Sequence, residues 1–160
     1  YSEMDLKVID QAKVKPSTIR RMMANKTDKQ KVIIIDYIQL MASDEKTNDR
    51  RLEIESISRD LKILSKETNA VIIILAQVKR EVEQRQDKRP MMSDLKEAGG
   101  LEQDADIISF LYRDDYYNPP EVPNTFGKSE VECIIAKNKD GATGTAKFDF
   151  YKKIQRFMDV

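Results

Sequence analysis

The sequence predicts an α/β protein with a parallel sheet flanked by helices in its first half and antiparallel strands and a hairpin toward its C-terminus. Three observations predict it. Two aliphatic runs, KVIII and NAVIIIL, have the unbroken apolar character of strands buried on both faces, as in a parallel sheet. Between them Ile54, Ile57, Leu61 and Leu64 recur at helical spacing. Late in the chain the pattern becomes an alternation through Ala146, Phe148 and Phe150, after a turn at Asp140-Gly141.

Taken in order, Leu6 to Ile9 is a brief strand candidate, and PSTIRRMMANK (16–26) reads as a helix with Pro16 or Ser17 at its start. Val32 to Ile35 is the next strand. The polar stretch SDEKTNDRR leads into a helix from about 51 to 67, which leaves Arg59, Lys62 and Lys66 outside. NAVIIILAQ (69–77) is the third strand, and strand, helix and strand of these lengths form a right-handed βαβ unit. KREVEQRQDKRP (79–90) is charged and lacks apolar periodicity, so it is a loop. SDLKEAGGLEQDAD (93–106) reads as a capped helical turn broken at Gly99-Gly100, then another turn. IISFLYR (107–113) and EVECIIAKN (130–138) are strands on either side of a loop carrying Pro119, Pro120 and Pro123. With no internal repeat, low-complexity segment or linker, the 160 residues are expected to form one domain.

Composition excludes several chemistries. Charged residues make up 35% of the chain and apolar ones 40%, enough for a soluble protein with a real core. Lys plus Arg (28) balance Asp plus Glu (28), so no global charge announces nucleic acid, although a local basic loop is compatible with that balance. No apolar run approaches the roughly 18 residues of a membrane span, and no secretory signal pattern is present. The single cysteine, Cys133, points to a reducing compartment, and VECIIAK suggests a buried strand thiol rather than a reactive one. Histidine is absent, which removes Ser-His-Asp, Cys-His and His-zinc chemistry. Any chemistry must run on carboxylates, Lys, Arg, Gln, Tyr or an oxygen-seeking ion such as Mg²⁺.

Asp36 stands directly after four aliphatic residues, where burying it unpaired would cost several kcal/mol. It is either a cap or turn residue at the strand exit, or it faces a cation. Gln77 ends the next parallel strand, so both emerge on one sheet edge, where open α/β sheets bind ligands. A strand of four apolar residues ending in Asp also fits the second nucleotide motif of P-loop ATPases, whose acid serves Mg²⁺.

The neighbouring residues extend the pattern. VIIIDYIQLM, then RLEIESISRDLKILSKETNAVIIILAQVKREVEQRQDKRPMMSDLKEAGGLEQDADIISFLYRDDYY, then IIAKNKDGATG resemble the motor domain of replicative DNA helicases of the DnaB family. The resemblance runs in order from about residue 6 to residue 151 and is most specific from Asp36 to Tyr117. It implies a RecA-like fold, a homo-hexameric ring, a cytoplasmic location, and coupling of ATP hydrolysis to movement along single-stranded DNA, with a helicase loader and primase as further partners. Position by position, it implies that Asp36 serves the nucleotide's Mg²⁺ and that Gln77 senses the γ-phosphate. Arg80 and Lys96-Glu97-Ala98-Gly99 match the DNA-contacting loops of the central channel. Lys137 and Lys139 match the hairpin that reaches the neighbouring subunit's ATP, where the family usually has a lysine and then an arginine finger. Lys139 stands at that second position and brings charge without the planar fork. The segment Arg113-Asp114-Asp115-Tyr116-Tyr117 is family-like, and its paired acids suggest either a metal site or a strand-exit turn.

One family motif is not found: no G-x-x-x-x-G-K-[ST] occurs among the five glycines, so nothing cradles the β- and γ-phosphates. Glu3, in YSEMD, lies only 33 residues before Asp36, too near for the family's catalytic glutamate. The expectation is therefore a partial RecA-like motor domain over 1–160, not ATPase-competent alone. The rival is a non-catalytic RecA-like module that joins helicase rings or binds a loader or DNA. A recombinase-type ATPase is a third reading, disfavoured by SDLKEAGGLEQDADIISFLYRDDYY.

Overall fold

In the computed structural model, residues 6–24, 29–95, 99–120 and 127–160 are described. The chain divides into two compact units, Tyr1–Gln77 with Glu97–Asp104, and Val78–Lys96 with Ala105–Val160.

In the first unit, strands β1 (Val32–Ile35) and β2 (Val71–Ile74) pair in parallel, Val32 against Val71 and Ile35 against Ile74. Helix α1 (Pro16–Met22) precedes β1, and helix α2 (Arg50–Thr68) makes the crossover. Helix α2 forms where its apolar repeat predicts. Ile54, Ile57, Leu61 and Leu64 are buried, while Arg59 and Lys66 are exposed and Lys62 is half-buried. The Asp49 carboxylate accepts the N–H groups of Arg51 (2.8 Å) and Leu52 (3.4 Å), satisfying donors the first turn leaves open. Asn69, left-handed at φ 49°, ends the helix.

Two expectations are corrected here. The strands are not buried on both faces, since Val32, Ile34, Val71 and Ile73 are exposed. The apolar run reports a sheet of the buried kind, while α2 covers one side of it. Leu6 to Ile9 is not a strand, because it finds no partner strand among the described residues, and Leu6, Val8 and Ile9 are exposed. Helix α3 (Gly99–Asp104) packs on α2. A Cβ on Gly100 would lie 3.0 Å from the Glu55 Cα, so the close approach of the two helices requires glycine there. The buried Ser58 hydroxyl donates to Asp104 at 2.7 Å across the same contact.

The second unit is an antiparallel sheet in the order β3 (Ile107–Tyr112), β4 (Lys128–Asn138), β5 (Gly144–Tyr151) and β6 (Arg156–Asp159). Strand β3 alternates strictly, with Ile108, Phe110 and Tyr112 inside. The β4–β5 hairpin occurs as expected, but its connection is the longer segment 139–143 rather than a tight turn. Cys133 is half-buried in the middle of β4. Strand β6 was not anticipated, since RFMD carries no alternation. Its Phe157 ring lies 4.6 Å from that of Phe150 on β5.

Candidate functional site

The parallel pair brings Asp36 and the Leu75–Gln77 exit to one edge. The Leu75 N–H donates to the Ile35 carbonyl (2.9 Å), and its carbonyl accepts the Ile38 N–H (3.0 Å). Leu75 is thus tied to residues on both sides of Asp36, and the chain leaves for Gln77 directly beside it. The Asp36–Tyr37 peptide is cis. Asp36 and Gln77 are both exposed. In the turn that follows Asp36 stands a residue the sequence did not single out: both side-chain amide atoms of Gln39 are buried without a hydrogen-bond partner among the described residues.

Asp36 differs from the chain's other prominent acids. Asp94 takes two bonds from Arg85. Asp114 accepts from the Tyr112 hydroxyl (2.7 Å) and the Asn118 amide (3.1 Å). Asp115 accepts from Ser129 (2.5 Å) and Lys152 (2.7 Å) and faces Arg113 (3.0 Å). Burial raises the Asp115 carboxyl's affinity for a proton, but the bonds from Lys152 and Ser129 outweigh it and hold the group below its ordinary value. The Tyr112 hydroxyl is pushed up to about 12, first by its bond to Asp114 and then by burial. These acids are structural, and Asp114–Tyr117 is a short helix, α4, at the strand exit rather than a metal site. At Asp36, by contrast, no described side chain pairs with the carboxylate. No three His, Cys, Asp or Glu side chains cluster among the described residues, so a cation there would rely on Asp36 together with water and phosphate oxygens. That donor set fits Mg²⁺, which takes few protein carboxylates and keeps its waters.

The segment after Gln77 is more structured than its polar sequence suggests. It contains a 3₁₀ helix (Arg80–Gln84) whose Val82 is 2% exposed, which anchors the exposed Arg80 beside it. Glu3, Lys96, Glu97 and Ala98 lie outside the described residues. Gly99 opens α3, and a Cβ there would find ordinary contact, 3.5 Å from the Glu55 carboxylate.

Lys137 ends β4 just after an irregularity in its pairing: Ile108 faces Lys137 while Ser109 faces Ile135, so Ala136 is an extra residue. Such a bulge re-aims the strand end. Lys139 follows in the hairpin connection, with its N–H on the Asp106 carbonyl (3.0 Å) and its ammonium 3.1 Å from the Asp106 carboxylate. Asp106 was not singled out from sequence, because its partner lies 33 residues away. Asp36 and Gln77 therefore share the first unit, and Arg80, Lys137 and Lys139 the second.

A parallel βαβ pair with an unpaired acid at its exit edge, followed by an antiparallel sheet, places the chain among α/β proteins of the RecA-like class. Residues 1–159 match the profile of the DnaB-like helicase C terminal domain, and the chain belongs to that family. It is 48% identical over 130 residues to the replicative DNA helicase DnaB of Geobacillus stearothermophilus, and 47% identical over 130 residues to the replicative DNA helicase DnaC of Bacillus subtilis (strain 168). Each match covers 81% of this chain and 28% of the relative, so the chain spans under a third of their length. Among solved structures, an isolated ATPase domain aligns at TM-score 0.89 and 43% identity, covering 99% of this chain and 56% of that one. A DnaB-like replicative helicase solved in a study of its interactions with primase aligns at TM-score 0.89 and 42% identity, covering 99% and 38%. Among the described residues, no helix is long and apolar enough to cross a membrane.

Proposed function

We propose that this chain is part of a single motor domain of a cytoplasmic replicative DNA helicase, which couples ATP hydrolysis between subunits of a hexameric ring to movement along single-stranded DNA and duplex unwinding. The observation that carries the reading is Asp36: an exposed carboxylate with no partner among the described residues, held at the sheet edge by the backbone bonds of Leu75. It would hold the Mg²⁺ of ATP through water, and Gln77, leaving the same edge, would hydrogen-bond the γ-phosphate or the attacking water. A bound Mg²⁺ supplies charge neutralisation at the phosphates, while Asp36 and Gln77 orient what is bound.

Arg80 and the Lys96-to-Gly99 segment would follow the DNA backbone by charge and by N–H groups near glycine, contacts that position without reading sequence. Lys137 and Lys139 would serve the neighbouring subunit's phosphates. A pair as exposed as Lys139–Asp106 contributes little to stability, so nucleotide can draw the ammonium away at small cost. The relatives' names support a role in replication, and primase and a helicase loader are proposed partners. The 160 residues contain no phosphate-loop sequence, so by themselves they are not expected to turn over ATP.

The test is steady-state ATPase of the full-length protein with and without single-stranded DNA. Asp36→Ala should lower DNA-stimulated turnover by about 10²–10³-fold, the scale of losing a group that stabilises transition-state charge. Turnover equal to wild type would reject Asp36 as the Mg²⁺ ligand and favour the non-catalytic ring or loader-binding module.

A further inference from the structure

The charged residues of segment 79–95 form a frame rather than a solvated loop. The Arg85 guanidinium donates to both oxygens of Asp94 (3.2 and 2.8 Å) and to the Arg89 carbonyl (2.7 Å). Asp94, 7% exposed, also accepts the Met91 N–H (2.8 Å), and its carbonyl accepts the Lys79 N–H (2.8 Å). The two ends of the segment are thus tied together beside Arg80. From this frame Arg89 reaches across to the sheet. Its Nε and Nη2 donate to the two oxygens of Glu132 at 2.7 Å each, fork on fork, and its guanidinium lies 4.8 Å over the Tyr112 ring.

Glu132 belongs to β4, faces Tyr112 of β3 and Lys147 of β5, and precedes Lys137 in the same strand. A bidentate pair fixes relative orientation as well as distance, which a single lysine contact does not. A strand paired on both sides carries a displacement along its length more faithfully than a loop does. The covalent and hydrogen-bonded route therefore runs from the Arg80 segment through Arg89 and Glu132 along β4 to Lys137 and Lys139.

We propose that Arg89 and Glu132 are positioning residues that couple single-stranded DNA on the Arg80 segment to the trans-acting lysines at the end of β4. The proposal rests on the assignments of Arg80, Lys137 and Lys139 made above. It needs no contact of Arg89 or Glu132 with DNA or nucleotide; their part is to make the nucleotide site respond to DNA.

The experiment uses the full-length protein and oligodeoxythymidylate as the DNA probe. It reads the Kd for that probe, ATPase without DNA, and ATPase at saturating DNA. Glu132→Gln and Arg89→Lys, which keep size or charge but lose the double fork, should leave the Kd and the DNA-free rate within about twofold of wild type. They should reduce the stimulation by DNA about fivefold or more, the lower end of ordinary coupling between sites. The exchange Arg89→Glu with Glu132→Arg should recover most of it. Full stimulation at saturating DNA in both single variants overturns the proposal, and so does a weakened Kd with stimulation intact, the mark of a merely structural tie. Arg80→Ala and Lys139→Ala are run in parallel. If Arg80→Ala leaves the Kd unchanged or Lys139→Ala leaves turnover unchanged, the underlying assignment has failed. If both respond while the Arg89 and Glu132 variants stay fully stimulated, the coupling route alone has failed.

Discussion

Asp36 and Asp94 are both aspartates close to a strand or turn, and their partners decide their different fates. Asp94 receives the Arg85 fork and the Met91 N–H, so Asp94→Ala should cost about 2 kcal/mol by leaving partly buried donors unmet. Urea unfolding of the wild-type and variant chains measures this. Asp36→Ala leaves no donor unmet among the described residues and should change stability by less than about 0.5 kcal/mol, as at an ordinary surface site. Gly100→Ala, by contrast, pushes a methyl against the Glu55 backbone and should cost about 1–3 kcal/mol, the scale of overpacking, in the same experiment. Asp36 and Gln77 were legible because a strand's apolar run places the next polar residue at the sheet edge. Asp94, Asp106 and Glu132 were not, because their partners Arg85, Lys139 and Arg89 lie 9, 33 and 43 residues away, beyond any local pattern.

Helix α2 was the most legible element, since its repeat alone says which face is covered. Ile57, fully buried, should cost about 2–5 kcal/mol on replacement by Ala, read by the same unfolding. Strands β1 and β2 were found but their burial was misjudged, because an apolar run says that a strand can be covered twice and not that it is. The segment after Gln77 was misread in the opposite sense: Val82 gives no periodic signal, yet its burial with the Arg85–Asp94 and Arg89–Glu132 pairs orders the chain there. The antiparallel sheet leans on such pairs, which gives it a pH signature. The bond from Arg89 holds the Glu132 carboxyl below its ordinary value against burial, and the bonds from Lys152 and Ser129 do the same at Asp115. Each group binds its proton less readily folded than unfolded. Their contribution is complete above the unfolded carboxylate values, about 4. It is lost as pH falls through the lower folded values. Amide exchange of β4 followed from pH 5 to pH 3 should show falling protection, and Glu132→Gln should flatten that fall.

The whole chain aligns over 99% of its length with a solved ATPase domain, and no residue pattern on its own carries as much as that agreement. What the sequence supplied was the order of motifs along the chain; what it could not supply were the partners each motif meets. The central claim is that Asp36 serves one side of a nucleotide site and Lys139 the other, from different subunits. The most direct measurement is ATPase of mixed rings of the full-length protein. Asp36→Ala and Lys139→Ala subunits, each weak alone, are combined in equal amounts. If the site is shared, about a quarter of the interfaces in randomly mixed rings are intact on both sides, and DNA-stimulated turnover rises well above the mean of the two parents. Turnover that stays at that mean at every mixing ratio contradicts a site built from Asp36 of one subunit and Lys139 of the next.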